Sequence, residues 1–170
     1  MGVDELVTGG DVDDPVVDSL TTEEGTITNE TFVVATRSSS TGSSAFASGE
    51  YAQIADTEVK DARDELNSSF QFVPDETAYY RVDALVYINK GNSSDALELR
   101  VQNVTDGVTV ERLNKVAHSQ NFTDVSGSKT MELTAGKNYE IQATDTDGSW
   151  GLIGDAGTTR FSVVKEVVQP

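Results

Sequence analysis

Cysteine is absent from this 170-residue chain. That excludes disulfides and thiolate metal centres and leaves no redox compartment to be read. A single histidine, His118, is the only imidazole available to a Ser-His-Asp arrangement. No G-x-S-x-G elbow, P-loop, G-x-G-x-x-G or H-E-x-x-H pattern accompanies it. The chain is therefore not expected to be an enzyme. No run of 18 apolar residues occurs, so no membrane partner is expected. Residues 1–14 are acidic and lack an apolar stretch, so they do not read as a signal peptide. Leu6 stands where a myristoylation motif needs Ser or Thr.

Basic residues are also scarce. Twelve Lys and Arg face 29 Asp and Glu, a formal charge of −17. No basic patch exists to neutralise phosphates, so nucleic acid is not an expected partner. The acids are spread along nearly the whole chain, and such a surface repels itself at ordinary ionic strength. At roughly 1 M salt the Debye length falls to about 3 Å and the repulsion is screened. A dispersed acidic excess with few lysines is expected of a protein from an extreme halophile.

What is present is β pattern. Val, Thr, Ser and Gly are prominent, and Val and Thr favour strands. Residues 1–24 carry eight acids and no base, and read as an extended acidic arm. Its apolar pairs Leu6-Val7 and Val16-Val17 are the candidate attachment points. A β domain is expected over residues 25–170. A first strand is predicted at 26–36, then a Ser-rich loop at 38–44. Residues 45–54 are ambiguous, and 58–66 read either as a short helix or as a charged loop. From residue 79 to 88, Tyr80, Val82, Ala84, Val86 and Ile88 make one apolar face. Leu97, Leu99 and Val101 repeat the alternation, and Asp106-Gly107 marks a hairpin. Further strands fit 129–133, 138–143 and 160–168, with turn signals at Ser126-Gly127, Ala135-Gly136, Asp147-Gly148 and Ala156-Gly157. Short strands at this spacing predict a sandwich or barrel.

Three segments carry a family resemblance. Phe70-Gln71-Phe72-Val73-Pro74, a short turn, and Tyr79-Tyr80-Arg81-Val82 resemble the entry to the central strand of C1q/TNF-like jelly rolls. Met131 to Ile141, with Ala135-Gly136 inside it, is similar to that family's L-x-A-G-D segment. Thr159-Arg160-Phe161-Ser162 resembles its closing T-x-F-S strand. The likeness runs over residues 66–168. It departs where Thr77 or Ala78 replaces an expected Gly and Lys137 an expected Asp. The resemblance implies an antiparallel jelly-roll sandwich that assembles into a homo-oligomer, a trimer foremost and a pentamer as the alternative. Phe72, Tyr79, Tyr80, Trp150 and Phe161 are then the candidate core or oligomer residues.

Combined with the arm and the charge, this implies a structural virion protein from a haloarchaeal tailed virus. It would be made in the host cytoplasm and displayed on the virion surface as a capsid decoration, turret or vertex subunit. Its arm would dock on the major capsid or another virion protein. Two alternatives are a tail or fibre subunit that recognises the host, and an extracellular glycan-binding module of a halophile's cell surface. Either could meet a host surface glycan, and in the module Trp150 and the Tyr-rich strand at 79–88 would be the stacking platform. No cofactor is expected beyond calcium, for which Asp145, Asp147 and Asp155 are weak candidate ligands; their spacing fails the EF-hand pattern. Five N-x-S/T sequons, at Asn29, Asn67, Asn92, Asn103 and Asn121, exceed chance and mark candidate glycosylation acceptors.

Overall fold

The computed structural model describes residues 19–22, 25–28, 32–90, 95–118, 122–146, 148–154 and 158–166. Two units separate, residues 1–30 and residues 31–170. In the first, β1 (Ser19–Thr22) and β2 (Gly25–Thr28) form an antiparallel pair that registers Ser19 with Thr28 and Thr22 with Gly25.

The second unit contains β3 (Phe32–Thr36), β4 (Ala52–Gln53), β5 (Thr57–Asp61), β6 (Ala78–Lys90), β7 (Asp95–Asn103) and β8 (Val108–His118). β9 (Phe122–Leu133), β10 (Tyr139–Asp145), β11 (Trp150–Leu152) and β12 (Arg160–Lys165) complete it. No helix occurs among the described residues. One sheet runs β9-β6-β12-β3-β5, with β11 on the same edge of β6 as β12, further along the strand. The other runs β4-β10-β7-β8. The chain crosses between sheets from β6 to β7, from β8 to β9 and from β9 to β10. This is an all-β antiparallel sandwich, as the strand spacing predicts, wound as the jelly roll that the family resemblance implies.

The inward faces meet in one core. Tyr80, Val82, Ala84, Val86 and Ile88 of β6 face inward together, each at most 5% exposed. Val33, Phe161 and Val163 flank them, and Leu97, Leu99, Val101 and Ile141 come from the opposite sheet. Burying each such Val, Leu, Ile or Phe side chain is worth about 1.5–3 kcal/mol relative to exposure. A one-residue slip of β6 would turn this whole row to solvent, so the alternation fixes the register.

Several local expectations change. Residues 58–66 hold no helix: β5 pairs with β3 through Asp61, and turns follow. Its alternating charges sit on a sheet edge, where like composition serves strand or loop equally. Ser126-Gly127 is not a turn. β9 runs straight through it, because Gly127 pairs with Ala84 and lets β9 pass close to β8. The strand predicted at 26–36 is two strands, β2 and β3, in different units. β1 falls within the segment read as an arm. Asp106-Gly107 does close the β7–β8 hairpin, with Gly107 at φ 71°.

Candidate assembly face

The sandwich uses up most of the large apolar side chains. Phe72, Tyr80, Trp150 and Phe161 are all fully buried. Phe72 meets Tyr80 edge-on, ring centres 5.3 Å apart. Trp150 lies 4.6 Å from the Phe46 ring, and its indole N–H donates to the Ala47 carbonyl at 3.2 Å. These four belong to the core and offer nothing to a second molecule. Trp150 in particular has no free face for stacking on a sugar. Of the five candidate residues, only Tyr79 reaches solvent, at 48% exposed.

Tyr79 opens the outward row of β6. Alternation places Arg81, Asp83, Leu85 and Tyr87 on the same face. Register then sets the neighbours: Ser162 lies opposite both Asp83 and Val34, and Ser128 opposite Asp83. Val34, Leu85, Tyr87 and Val164 are half-buried here. Between them lies a shallow hollow of about 580 Å³, bounded by Val34, Asp83, Leu85, Ser128, Arg160 and Ser162. Charge on this face is mostly paired. Arg81 bonds Asp83 at 3.1 Å and contacts Glu166 at 3.5 Å. The face is broad, mixed and low in net charge, in a chain of charge −17.

The opposite sheet presents a different outward surface. Glu98 on β7 is almost wholly buried, and its carboxylate takes Arg112 at 3.0 Å, Lys115 at 3.8 Å and the Tyr51 hydroxyl at 2.8 Å. Burial and the Glu98 carboxylate push the Tyr51 phenol above its ordinary range. The Arg100 guanidinium lies 3.3 Å from the Tyr51 ring centre and donates to Gln142. This polar cluster ties together β7, β8, β10 and the residue just before β4.

The remaining candidates separate. Asn103 is 6% exposed; its Nδ2 donates to the Asp106 carboxylate at 2.8 Å, and its Oδ1 accepts the Asp106 N–H at 3.0 Å. Asn67 accepts from the N–H groups of Ser69 and Gln71 and donates to the Gln71 side chain. At both sites the sequon is an Asn-centred turn whose amide is already engaged. Part of the sequon excess is therefore turn chemistry. Asn29, Asn92 and Asn121 lie outside the described residues. So do Leu6, Val7, Val16, Val17, Asp147 and Asp155. Asp145 is fully buried at the end of β10, where its carbonyl accepts the Gly49 N–H at 2.7 Å. Among the described residues no three His, Asp or Glu side chains gather as a metal cluster. His118 pairs across the ladder with Asp95 at the far end of β8.

No family model matches the sequence, and no curated protein matches it. Solved structures do. The chain is similar to murine APRIL at 12% identity and TM-score 0.57, over 80% of this chain and 98% of that one. It is similar to the Eiger TNF of S. frugiperda at 13% and 0.56, over 82% and 93%. It is similar to the globular domain of zebrafish complement 1qA protein at 13% and 0.52, over 82% and 98%. The fold is a C1q/TNF-like jelly roll.

Proposed function

We propose that this chain is a structural subunit of a virion surface that assembles with copies of itself, as a trimer, through the outward face of the β9-β6-β12-β3 sheet. The observation that carries this reading is the face itself. Tyr79, Leu85, Tyr87, Val34 and Val164 sit together on a hollowed, nearly neutral surface of mixed apolar and paired polar side chains. A fold shared with TNF and C1q domains supports assembly of whole domains as the mode of action. Mechanism here is packing. Desolvating a central apolar cluster supplies affinity, while the Arg81–Asp83 pair and Arg160 set orientation at its rim.

The place we assign is the outside of a particle: a capsid decoration, turret or vertex subunit held by its acidic N-terminal segment. The dispersed acidic charge supports a host living in concentrated salt. The glycan-module alternative loses Trp150 to the core and keeps only the outward tyrosines of β6. The test is particle-level. Purified virions of the source virus should carry this chain in stoichiometric amounts, and imaging should place the jelly roll on the outer shell. Virions free of the chain, or a chain found only on the cell envelope, would overturn the assignment.

A further inference from the structure

The connection from β5 to β6 buries a carboxyl group that assembly does not use. Glu65 is 3% exposed. Its backbone is fixed, since its carbonyl accepts the Val73 N–H at 2.6 Å. Its Oε1 accepts the Asp75 N–H at 3.3 Å, while Oε2 has no hydrogen-bond partner. The Asp75 carboxyl comes within hydrogen-bonding reach of the Glu65 carboxyl. Two like-charged carboxylates this close, one of them buried, cannot both ionise without cost. A proton held there removes the repulsion.

Other charged groups stand around the two carboxyls. Arg63 is the nearby cation; it pairs with Asp75 at 3.3 Å and favours the charged form of Glu65, but more weakly than burial opposes it. Asp61 faces the same turn but is committed to the N–H groups of Arg63 and Leu66. From β6, Tyr80 presents a hydroxyl that donates to the Glu76 carbonyl. From β12, Lys165 pairs with the Glu76 side chain. The turn is also held in tension. Asp64 and Phe70 flank it at φ 60° and 55°, a left-handed conformation that costs non-glycine residues energy.

We propose that Glu65 and Asp75 share one proton as a clasp across the β5–β6 connection, and that losing this proton to solvent loosens residues 62–76. Burial, together with the Asp75 carboxyl, raises Glu65 from its ordinary 4.5 to about 7. The sign follows. Between these values the native chain holds a proton that the unfolded chain has released. The stabilisation is complete below about pH 4.5 and is lost as the pH rises through 7. The span corresponds to about a 300-fold change in the folding equilibrium.

The full chain, Glu65→Gln, Asp75→Asn and an exposed control, Glu58→Gln, are to be unfolded in urea across this pH range. Side-chain carboxyl NMR should follow Glu65 directly. Wild type and the control should lose folding stability as pH rises, by up to two orders of magnitude more than Glu65→Gln. Glu65 should titrate near neutrality, and lower in Asp75→Asn. The Val73 and Asp75 amides should exchange faster above neutral pH, relative to the core amide of Val82. Parallel stability profiles for wild type and Glu65→Gln would overturn the proposal. If Glu65→Gln fails to fold, the wild-type titration still decides, and a Glu65 carboxyl titrating near 4.5 would overturn it.

Discussion

Gly127 of β9 passes the backbone of Leu113 so closely that a Cβ on it would lie 2.9 Å from the Leu113 carbonyl carbon and oxygen. β8 and β9 belong to different sheets, so this contact is where the sandwich closes along one side. Asn114 bonding the Ser126 carbonyl and Lys129 pairing with Glu111 lace the same seam. Gly127→Ala should therefore force the sheets apart and cost about 1–3 kcal/mol, read as a lowered urea midpoint. Ser128→Ala, one residue on and exposed, should be near neutral.

The single tryptophan reports on the end of β6, where it pairs with Lys90. Trp150 is buried against Phe46, so its emission should be blue-shifted in the native state and move red on unfolding. Trp150→Ala should cost about 3–5 kcal/mol. Trp150→Phe should cost less, because it keeps the ring contact and loses only the N–H bond to Ala47.

Glu98 holds two cations and a phenol with one buried carboxylate. Arg112 is 57% exposed and can return to water, whereas Glu98 cannot. Removing the acid should then cost less than removing both of its cations. In urea titrations, Glu98→Gln should cost about 1 kcal/mol, with Tyr51 still able to donate to it. The double variant Arg112→Ala/Lys115→Ala, which strands the carboxylate, should cost about 2–3 kcal/mol.

Charge gives a condition-dependent prediction. With −17 on 170 residues, the melting temperature should rise between about 0.1 M and 2 M NaCl as repulsion is screened. A melting temperature no lower in dilute than in concentrated salt would remove the halophile reading.

Much of the fold was legible because its central strands alternate. The row from Tyr80 to Ile88 and the triplet Leu97, Leu99, Val101 are buried as the period of two requires. The three short motifs around Phe72, Ala135 and Phe161 carried the fold type. Residues 58–66 were not legible, because an edge strand with charges on both sides has no period to read. Gly127 looked like a turn because a glycine inside a strand and a glycine in a turn are alike in sequence, and only the approach of Leu113 separates them. Phe72, Tyr79, Tyr80, Trp150 and Phe161 read in sequence as core or oligomer residues alike, because an aromatic in an alternating strand marks a face without saying what covers it. Aromatics fill cores first, so of these five only Tyr79 remained outside, beside Val34, Leu85, Tyr87 and Val164. The Glu65–Asp75 contact spans ten residues of irregular chain and leaves no local pattern.

The assembly face is tested most directly by the mass of the full chain in solution. In about 2 M NaCl, where its charge is screened, light scattering should give about 55 kDa, three copies of the 18.2 kDa chain. Leu85→Arg, which puts a charge into the hollow without touching the core, should give a folded 18.2 kDa monomer. A wild-type chain that stays at 18.2 kDa as its concentration rises, or a Leu85→Arg chain that assembles as wild type does, would contradict assembly through this face.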